Sequence, residues 1–406
     1  MSLLEPGTGW RGAGCLVLLG VHILTAQSSR ESCVQPLCVN RTDDSAKDPL
    51  PGMLRYAVNK APNGAVITFD RSLNGKVLEL DLSSPANHLR ISRDLSIEGP
   101  GSDLLTISGG KTTRIFFIAA GTVQISGLTL ANGLGKGGDG GSAAGGAGGG
   151  GGGAGFGGAI FLSHGSLMLN AVVIRGNRAL GGSGGASGQN FSAGRGGGGG
   201  GFAGSSVRTG IGGAGGDLEN TGDAGDGTGG PGGVGDRIAG NGGEGGWGGG
   251  GGGGGVGLQD GVARGAMGGP SLFAGGVGGA GGFFDAEAGT ELPGGGGCGG
   301  SALGGAVFVS SGLLHMNDTV FLDNTSVAGL GAAGAVTGVA KGGALFICTP
   351  SYCGPGHDGI AVLSGNSGFK GSSAADSGAD QVCSSRDDAD VCGPLTAPPK
   401  GNDSKL

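Results

Sequence analysis

The pentapeptide Gly157-Gly158-Ala159-Ile160-Phe161 recurs as Gly304-Gly305-Ala306-Val307-Phe308 and again as Gly342-Gly343-Ala344-Leu345-Phe346. A second element follows the first two copies, as L-M-L-N-A-V-V-I-R-G-N at residues 167–177 and L-H-M-N-D-T-V-F-L-D-N at residues 314–324. Such recurrence is typical of repeat architectures, in which each unit buries its apolar face only against its neighbours. Each unit therefore predicts two or three short strands separated by tight corners.

Apolar residues alternate in the second element, and a divergent copy at residues 123–133 keeps this alternation at Val123 and Ile125. Residues 359–366 form a final copy. Alternation of this kind directs one face of each strand inward. Because such short strands cannot bury that face alone, we expect a coil whose turns pair with their neighbours about 4.8 Å away. The predicted fold class is all-β, a parallel β-helix or solenoid.

Asparagines close the repeats at Asn177, Asn324 and Asn366. Side-chain amides stacked at one corner of a coil can bond to one another along a ladder, and Asn tolerates the left-handed backbone of a sharp corner. We therefore predict an asparagine ladder of these three residues. The alternative is that they are ordinary turn residues.

Residues 51–62 precede the repeats, and there Met53, Leu54, Ala57 and Val58 share one helical face. We expect this short amphipathic helix to cap the open end of the coil, whose strand edges would otherwise invite association. Strand-like apolar runs follow the helix at residues 65–69, 77–80, 89–91, 95–97, 104–107 and 115–118.

The chain resembles a known group in these regions. From Met53-Leu54-Arg55-Tyr56-Ala57-Val58 to Ser126-Gly127-Leu128-Thr129 it resembles the start of exported pectin-lyase-like proteins, and the G-G-A-I and F-x-x-N elements resemble repeats of polymorphic outer membrane proteins. F-x-x-N is complete only at residues 321–324. The resemblance implies a right-handed parallel β-helix and leaves the activity open, because this fold hosts many functions. The polar tail after residue 368 departs from family members that end in a translocator barrel.

Three glycine-rich inserts separate the repeats at the same corner of successive turns, so we expect them to emerge side by side. The largest insert is either a flexible loop or a set of packed extended helices with three residues per turn. The predicted organisation, in chain order, is a signal peptide (1–28), a Cys-bearing linker (29–50), the capping helix (51–62), first β-helix turns (63–133), an insert (134–156), a turn (157–179), the large insert (180–303), a turn (304–327), a short insert (328–341), a last turn (342–368) and a polar Cys-bearing tail (369–406).

The N-terminus predicts export. Arg11 precedes an apolar run at residues 15–26 that is too short to span a bilayer comfortably, and Ala26-Gln27-Ser28 offers a cleavage site. We expect a secreted, extracellular protein with no transmembrane segment in the mature chain. The C-terminal Ser404-Lys405-Leu406 matches a peroxisomal address, which we interpret as a chance tripeptide.

Cysteines and sequons agree with export. Neighbouring cysteines predict disulfides between Cys33 and Cys38, Cys348 and Cys353, and Cys383 and Cys392, with Cys298 left over; zinc binding is the alternative. Candidate glycosylation sites are Asn40, Asn190, Asn317, Asn324 and Asn402.

The charged residues carry no convincing catalytic motif. The net charge is −7 without a basic stripe, which argues against nucleic acid as a partner. Lyases on this fold hold Ca²⁺ with clustered acids beside a basic residue. The nearest candidates are the acids Glu79, Asp81, Glu98 and Asp103 and the bases Arg90, Arg93 and Arg114; the alternative is a solvated face.

We therefore expect a non-catalytic surface-binding or matrix protein without a cofactor, which contacts an extracellular polysaccharide or a cell-surface component. The first alternative is a polysaccharide lyase or hydrolase of the pectin-lyase-like class, with Ca²⁺. The second is ice or mineral-surface binding through an ordered glycine-rich bundle.

Overall fold

The computed structural model describes residues 37–189, 196–197, 199–201, 241–242, 244–259, 262–285, 290–377 and 386–396. These residues form mostly strands in parallel β-sheets, with very few helices. The predicted signal peptide, the tripeptide at residues 404–406, Cys33, Cys383, Asn190 and Asn402 lie outside the described residues.

Three sheets carry the repeats, and all of their pairings are parallel. Sheet 1 has eight strands, in order Cys38–Val39, Ala65–Phe69, Leu95–Glu98, Thr122–Ser126, Ser166–Asn170, Gly312–Asn317, Gly359–Ser364 and Leu395–Thr396. Sheet 2 has six strands: Lys76–Glu79, Leu105–Ser108, Thr129–Ala131, Val173–Arg175, Val320–Leu322 and Gly368–Lys370. Sheet 3 also has six: Leu89–Ile91, Phe116–Ile118, Ile160–Leu162, Val307–Val309, Leu345–Ile347 and Val391–Cys392.

The register explains the repeats. The pentapeptides supply sheet 3, where Ile160 pairs with Val307 and Val307 with Leu345. The second element supplies sheets 1 and 2, so that equivalent residues of successive copies lie beside one another. In sheet 1 this forms one buried column, which consists of Ile67, Ile97, Ile125, Leu169 and Met316. Each such side chain contributes about 1.5–3 kcal/mol on burial.

Two smaller parallel sheets mark the corner where the inserts leave and return. Sheet 4 contains Leu134–Lys136, Arg178–Leu180, Thr325–Val327 and Ser373–Ala374. Sheet 5 contains Gly155–Phe156, Ala302–Leu303 and Ala340–Lys341. Each insert follows or begins with a strand of sheet 4 and ends in a strand of sheet 5.

The largest insert contains further strands, and the helices are short. Gly245–Trp247 and Ser271–Phe273 pair in parallel, while Val256–Gln259, Val262–Gly265, Phe283–Asp285 and Thr290–Leu292 form an antiparallel sheet. The helices are Leu54–Lys60 and Pro350–Cys353, with a 3₁₀ turn at Arg71–Leu73. Within the described part of the chain, no helix is long and apolar enough to cross a membrane.

Candidate functional surface, the glycine bundle

The centre of the inserts is an uninterrupted run of glycine at residues 148–153, and all six residues are buried. Six other segments surround this run and bond to its backbone. We call these seven segments the glycine bundle. Its members are residues 138–141, 147–154, 182–188, 197 with 199–201, 248–254, 276–279 and 295–300.

Hydrogen bonds recur at every third residue of the central segment. The N–H groups of Gly148 and Gly151 donate to the carbonyls of Gly254 and Gly251 at 2.9 and 2.8 Å, and Ala154 continues this row. A period of three matches an extended helix of polyproline-II type, which makes no internal hydrogen bonds. Its backbone donors and acceptors must therefore be satisfied by neighbouring segments.

The other two rows of the central segment bond to different neighbours. Gly149 and Gly152 donate to Gly295 and Cys298, and the next row donates to the segment at residues 138–141. Three further segments donate into the carbonyls of the central segment, from Gly182, Gly200 and Gly276 among others. All three faces of the central helix thus carry backbone hydrogen bonds.

The six outer segments also bond to one another, and they close a ring around the centre. The bonds that join neighbours in the ring are Gly140 to Ser183, Gly297 to Gly185, Cys298 to Val277, Gly251 to Gly276, Gly253 to Gly197 and Gly138 to Gly201, each written from N–H to carbonyl. Each outer segment is thus bonded both to the centre and to two neighbours in the ring. The large insert, where described, is therefore ordered rather than a loose loop.

Close approach requires glycine in the central segment. A Cβ at Gly149 would overlap the carbonyl oxygen of Gly185, and one at Gly151 would overlap that of Gly276. The obstacles are backbone atoms of bonded neighbours, which cannot turn aside as a flexible side chain would. The composition of the inserts is thus a packing requirement of this bundle.

An aromatic junction, formed by Phe156, Trp247, Phe273, Phe308 and Tyr352, joins the bundle to sheet 3. The Trp247 ring stacks on Phe156 and Phe273 with centroids 5.1 and 4.7 Å away. Phe156 also contacts Phe308 of sheet 3 at 4.6 Å, and Tyr352 meets Phe273 edge-on. Aromatic pairs at such distances contribute about 0.5–1.5 kcal/mol beyond the area they bury.

A disulfide supports this junction. Cys348 and Cys353 are bonded as predicted, and the carbonyl of Cys353 accepts a hydrogen bond from Trp247 Nε1 at 3.2 Å. Cys38 and Cys392 are disulfide-bonded too, and their predicted partners lie outside the described residues. Cys298 is free.

The asparagine ladder forms between Asn177 and Asn324. The Asn324 side-chain oxygen accepts from both the backbone N–H and Nδ2 of Asn177 at 3.0 Å, and Asn324 Nδ2 donates to the carbonyl of Ile174. Asn177 Oδ1 in turn accepts from the N–H of Gly133 at 2.7 Å. Both asparagines are buried, so these contacts hold the corner from which the inserts leave.

The predicted third rung at Asn366 is wrong. Ser373 pairs with Thr325, so the residue in register with Asn324 is Ser372. Asn366 is exposed, and its backbone N–H donates to Asp318 Oδ1. The spacing within the last repeat differs from that of the preceding one, so Asn366 is not in register with Asn324.

The three predicted glycosylation sites within the described residues differ in burial. Asn324 is completely buried and its amide donates to the carbonyl of Ile174, so a glycan on Asn324 is incompatible with this fold. Asn317 is partly buried, and its Nδ2 donates to Asn170 Oδ1 at 2.8 Å. Asn40 is exposed and stays a prediction.

The acidic and basic residues of the lyase alternative lie on different sheets. Glu79 ends a strand of sheet 2, Glu98 ends one of sheet 1, and Asp103 is exposed in the loop after Glu98. Asp81 accepts hydrogen bonds from the N–H groups of Ala46 and Ser83, which lower its pKa to about 2.

The candidate bases are engaged elsewhere. Arg90 of sheet 3 lies over the Phe117 ring at 5.2 Å, and Arg93 donates to the carbonyl of Ala61. Arg114 is buried, donates to the carbonyls of Phe156 and Gly157, and has its pKa lowered to about 9 by that burial. Among the described residues, no group of three or more His, Cys, Asp and Glu is placed to hold a metal ion.

A serine–histidine pair that the sequence did not predict lies beside the junction. Ser310 Oγ and His357 Nδ1 are 2.7 Å apart, and burial, aided by His164, lowers the pKa of His357. Ser310 is only 1% exposed, however, and Asp358 bonds to Ser311 rather than to the imidazole. The Ser310 hydroxyl is thus closed to a substrate in this structure. Because 47 residues separate the two side chains, sequence patterns did not reveal the pair.

The outer surface of the inserts carries apolar side chains. Met267, Leu330 and Val336 are 70%, 67% and 72% exposed, and Val277 is 44% exposed. The backbones of Val277 and Val336 accept hydrogen bonds from Cys298 and Gly299, so these two outward residues flank one segment of the bundle. We call Met267, Val277, Leu330 and Val336 the apolar surface residues of the inserts.

Known proteins offer no assignment for this arrangement: no protein family, curated protein or solved structure matches the chain. The protein is therefore described by its architecture, which is mostly parallel β-sheet with an ordered glycine bundle. The bundle and its apolar surface residues are the candidate functional surface.

Proposed function

We propose that this protein is a secreted, non-catalytic binding scaffold, in which a right-handed parallel β-helix holds out the glycine bundle as a rigid contact surface. The closed ring of six segments around residues 148–153 is the observation that carries the proposal. A surface ordered before contact loses little conformational entropy on binding, which favours affinity.

The order in which the chain visits the sheets supports a β-helix. It passes from sheet 1 to sheet 2, to the insert corner and sheet 3, and back to sheet 1 one strand further on. Crossovers between parallel strands are right-handed in about 98% of cases, which supports a right-handed coil. Helix Leu54–Lys60 buries Leu54, Ala57 and Val58 and contacts the first strands of sheets 1 and 3, as a cap would.

Disulfides support an extracellular location. The described part of the chain contains the Cys348–Cys353 bond and two further bonded cysteines, and such bonds persist in oxidising compartments. The resemblance to exported pectin-lyase-like proteins agrees with this location, and glycosylation at Asn40 would accompany it in a eukaryotic host.

The partner that this surface fits is an extended polymer, such as an extracellular polysaccharide or a cell-surface component. The test measures binding to immobilised pectate, alginate and related glycans, with Ca²⁺ present. The double variant Met267→Lys with Val336→Lys should lose binding, whereas Met168→Lys, 41% exposed on sheet 1, should keep it. Equal binding by both variants contradicts the assignment to the bundle, and release of unsaturated oligosaccharides contradicts a non-catalytic role.

A second candidate function is binding to ice or a mineral surface. It is favoured by Val277 on one outer segment and Ala280 directly after that segment, which are both exposed and three residues apart, as the repeat of the extended helix requires. Microscopy of ice crystals grown with the purified protein tests it. Unchanged crystal shape and growth rate exclude the ice-binding function.

A further inference from the structure

A buried ion pair lies at the end of sheet 5. Lys341 Nζ is 2.7 Å from Asp387 Oδ2, and the two side chains are 0% and 6% exposed. The other lysine–aspartate pair described, Lys136 with Asp139, is separated by 3.1 Å with both side chains more than a third exposed. The first pair is thus desolvated and the second is not.

Lys341 shares one face of sheet 5 with apolar side chains. It pairs with Leu303, which pairs with Phe156, so these three side chains leave the same face of sheet 5. Leu303 and Phe156 belong to one buried cluster with Phe346 and Cys392. The backbones of Asp387 and Cys392 form an isolated antiparallel β-bridge. The two charges therefore meet at the edge of an aromatic cluster.

One carboxylate oxygen of this ion pair lacks a hydrogen bond. Asp387 Oδ1 is buried and has no hydrogen-bond partner among the described residues. Lys341 Nζ also donates to the backbone carbonyl of Asp376 at 2.8 Å. A buried charge with an unsatisfied oxygen is costly, because desolvation is not fully compensated.

We propose that Lys341 and Asp387 condense into an intramolecular amide. A proton passes from the ammonium to the carboxylate, and the freed Nζ lone pair attacks Cγ. The new C–N bond forms as a C–O bond of Asp387 breaks, and that oxygen leaves as water with two protons that the ammonium carried. No oxidant or second reactant is needed.

The geometry and the hydrogen bonds both favour this product. By ordinary hydrogen-bond geometry Nζ lies roughly 3–3.5 Å from Cγ, the range of a near-attack arrangement. The amide N–H keeps the bond to the Asp376 carbonyl, while both charges and one carboxylate oxygen disappear. The bond would join residues 386–396 covalently to the corner that carries the inserts.

Peptide mass spectrometry of the reduced, trypsin-digested protein tests the proposal. We expect trypsin not to cut after Lys341, and we expect the peptide containing it to be joined to residues 387–400 with the loss of one water. Trypsin should cut after Lys136, whose exposed pair with Asp139 serves as an internal control. Free peptides ending at Lys341 and beginning at Asp387, at their full masses, overturn the proposal.

Variants add a second measurement. Asp387→Asn should give a linked peptide of the same mass, because ammonia leaves in place of water, and Lys341→Arg should give none. A linked mass in Lys341→Arg would assign the bond to other residues and overturn the proposal. If either variant fails to fold, the wild-type digest still decides.

Discussion

Trp247 lies flat on His357, with ring centroids 4.6 Å apart and planes 12° from parallel. Trp247 belongs to the largest insert, and His357 belongs to the loop that follows the Cys348–Cys353 bond. The contact therefore joins the largest insert to this loop through side chains, whereas the glycine bundle itself is held by its backbone. Removal of a side chain at this contact and substitution of a glycine in the bundle therefore test two separate sources of stability.

Trp247→Ala should lower the free energy of unfolding by about 3 kcal/mol, because it removes the stacking and leaves a cavity among the aromatic rings. Urea denaturation followed by circular dichroism measures this loss. Met267→Ala, on an exposed residue of the same insert, should change it by less than about 0.5 kcal/mol. Equal losses in both variants would show that the junction does not anchor the insert.

Gly151→Ala should destabilise the protein by about 3 kcal/mol or more, because the added methyl meets the backbone of a neighbouring segment. Gly368→Ala is the matched control, since no atom lies within 4 Å of its Cβ position. Thermal unfolding of the two variants compares them. A Gly151→Ala protein as stable as the control contradicts a close-packed centre.

Asn177→Ala should lower the free energy of unfolding by about 1–3 kcal/mol, because the N–H of Gly133 loses its buried acceptor. Asn366→Ala should be nearly neutral, since that side chain is exposed and outside the ladder. Chemical denaturation of both variants tests the ladder. Similar small effects would indicate that the asparagines are ordinary turn residues.

Stability should fall as the pH is lowered below about 6.5, because of His88. Burial, and then Arg114, Arg55 and Arg90, lower its pKa to about 3 in the folded protein, from the 6.5 of an unperturbed histidine. Between these values the unfolded chain binds the extra proton, so unfolding is favoured as the pH falls. The loss at pH 5 relative to pH 7 should be about 2 kcal/mol from this residue.

His88→Gln should remove that part of the pH dependence, and urea denaturation of both proteins at pH 7 and pH 5 measures the difference. For each protein the measured quantity is the change in the free energy of unfolding between pH 7 and pH 5. A general loss of stability in the variant does not affect this change. An unchanged pH dependence of the free energy of unfolding in His88→Gln would assign the acid sensitivity to other groups.

The sequence alone determined that the repeats form strands in mostly parallel sheets. Alternating apolar residues and a recurring pentapeptide are local signals, and parallel pairing turns equal patterns into equal register. The Asn177–Asn324 contact followed from the same register. Asn366 did not, because a change in the spacing of the last repeat alters the position of a residue without changing the motif.

Only the tertiary structure decided how the glycine segments pack and which distant side chains meet. Glycine has no side chain to specify a neighbour, so the ring around residues 148–153 depends on chain connectivity and backbone hydrogen bonds. Trp247 with His357, and Lys341 with Asp387, are brought together by the paths of the insert and the last turn. Their separation along the chain gives no periodic signal, because each contact occurs once.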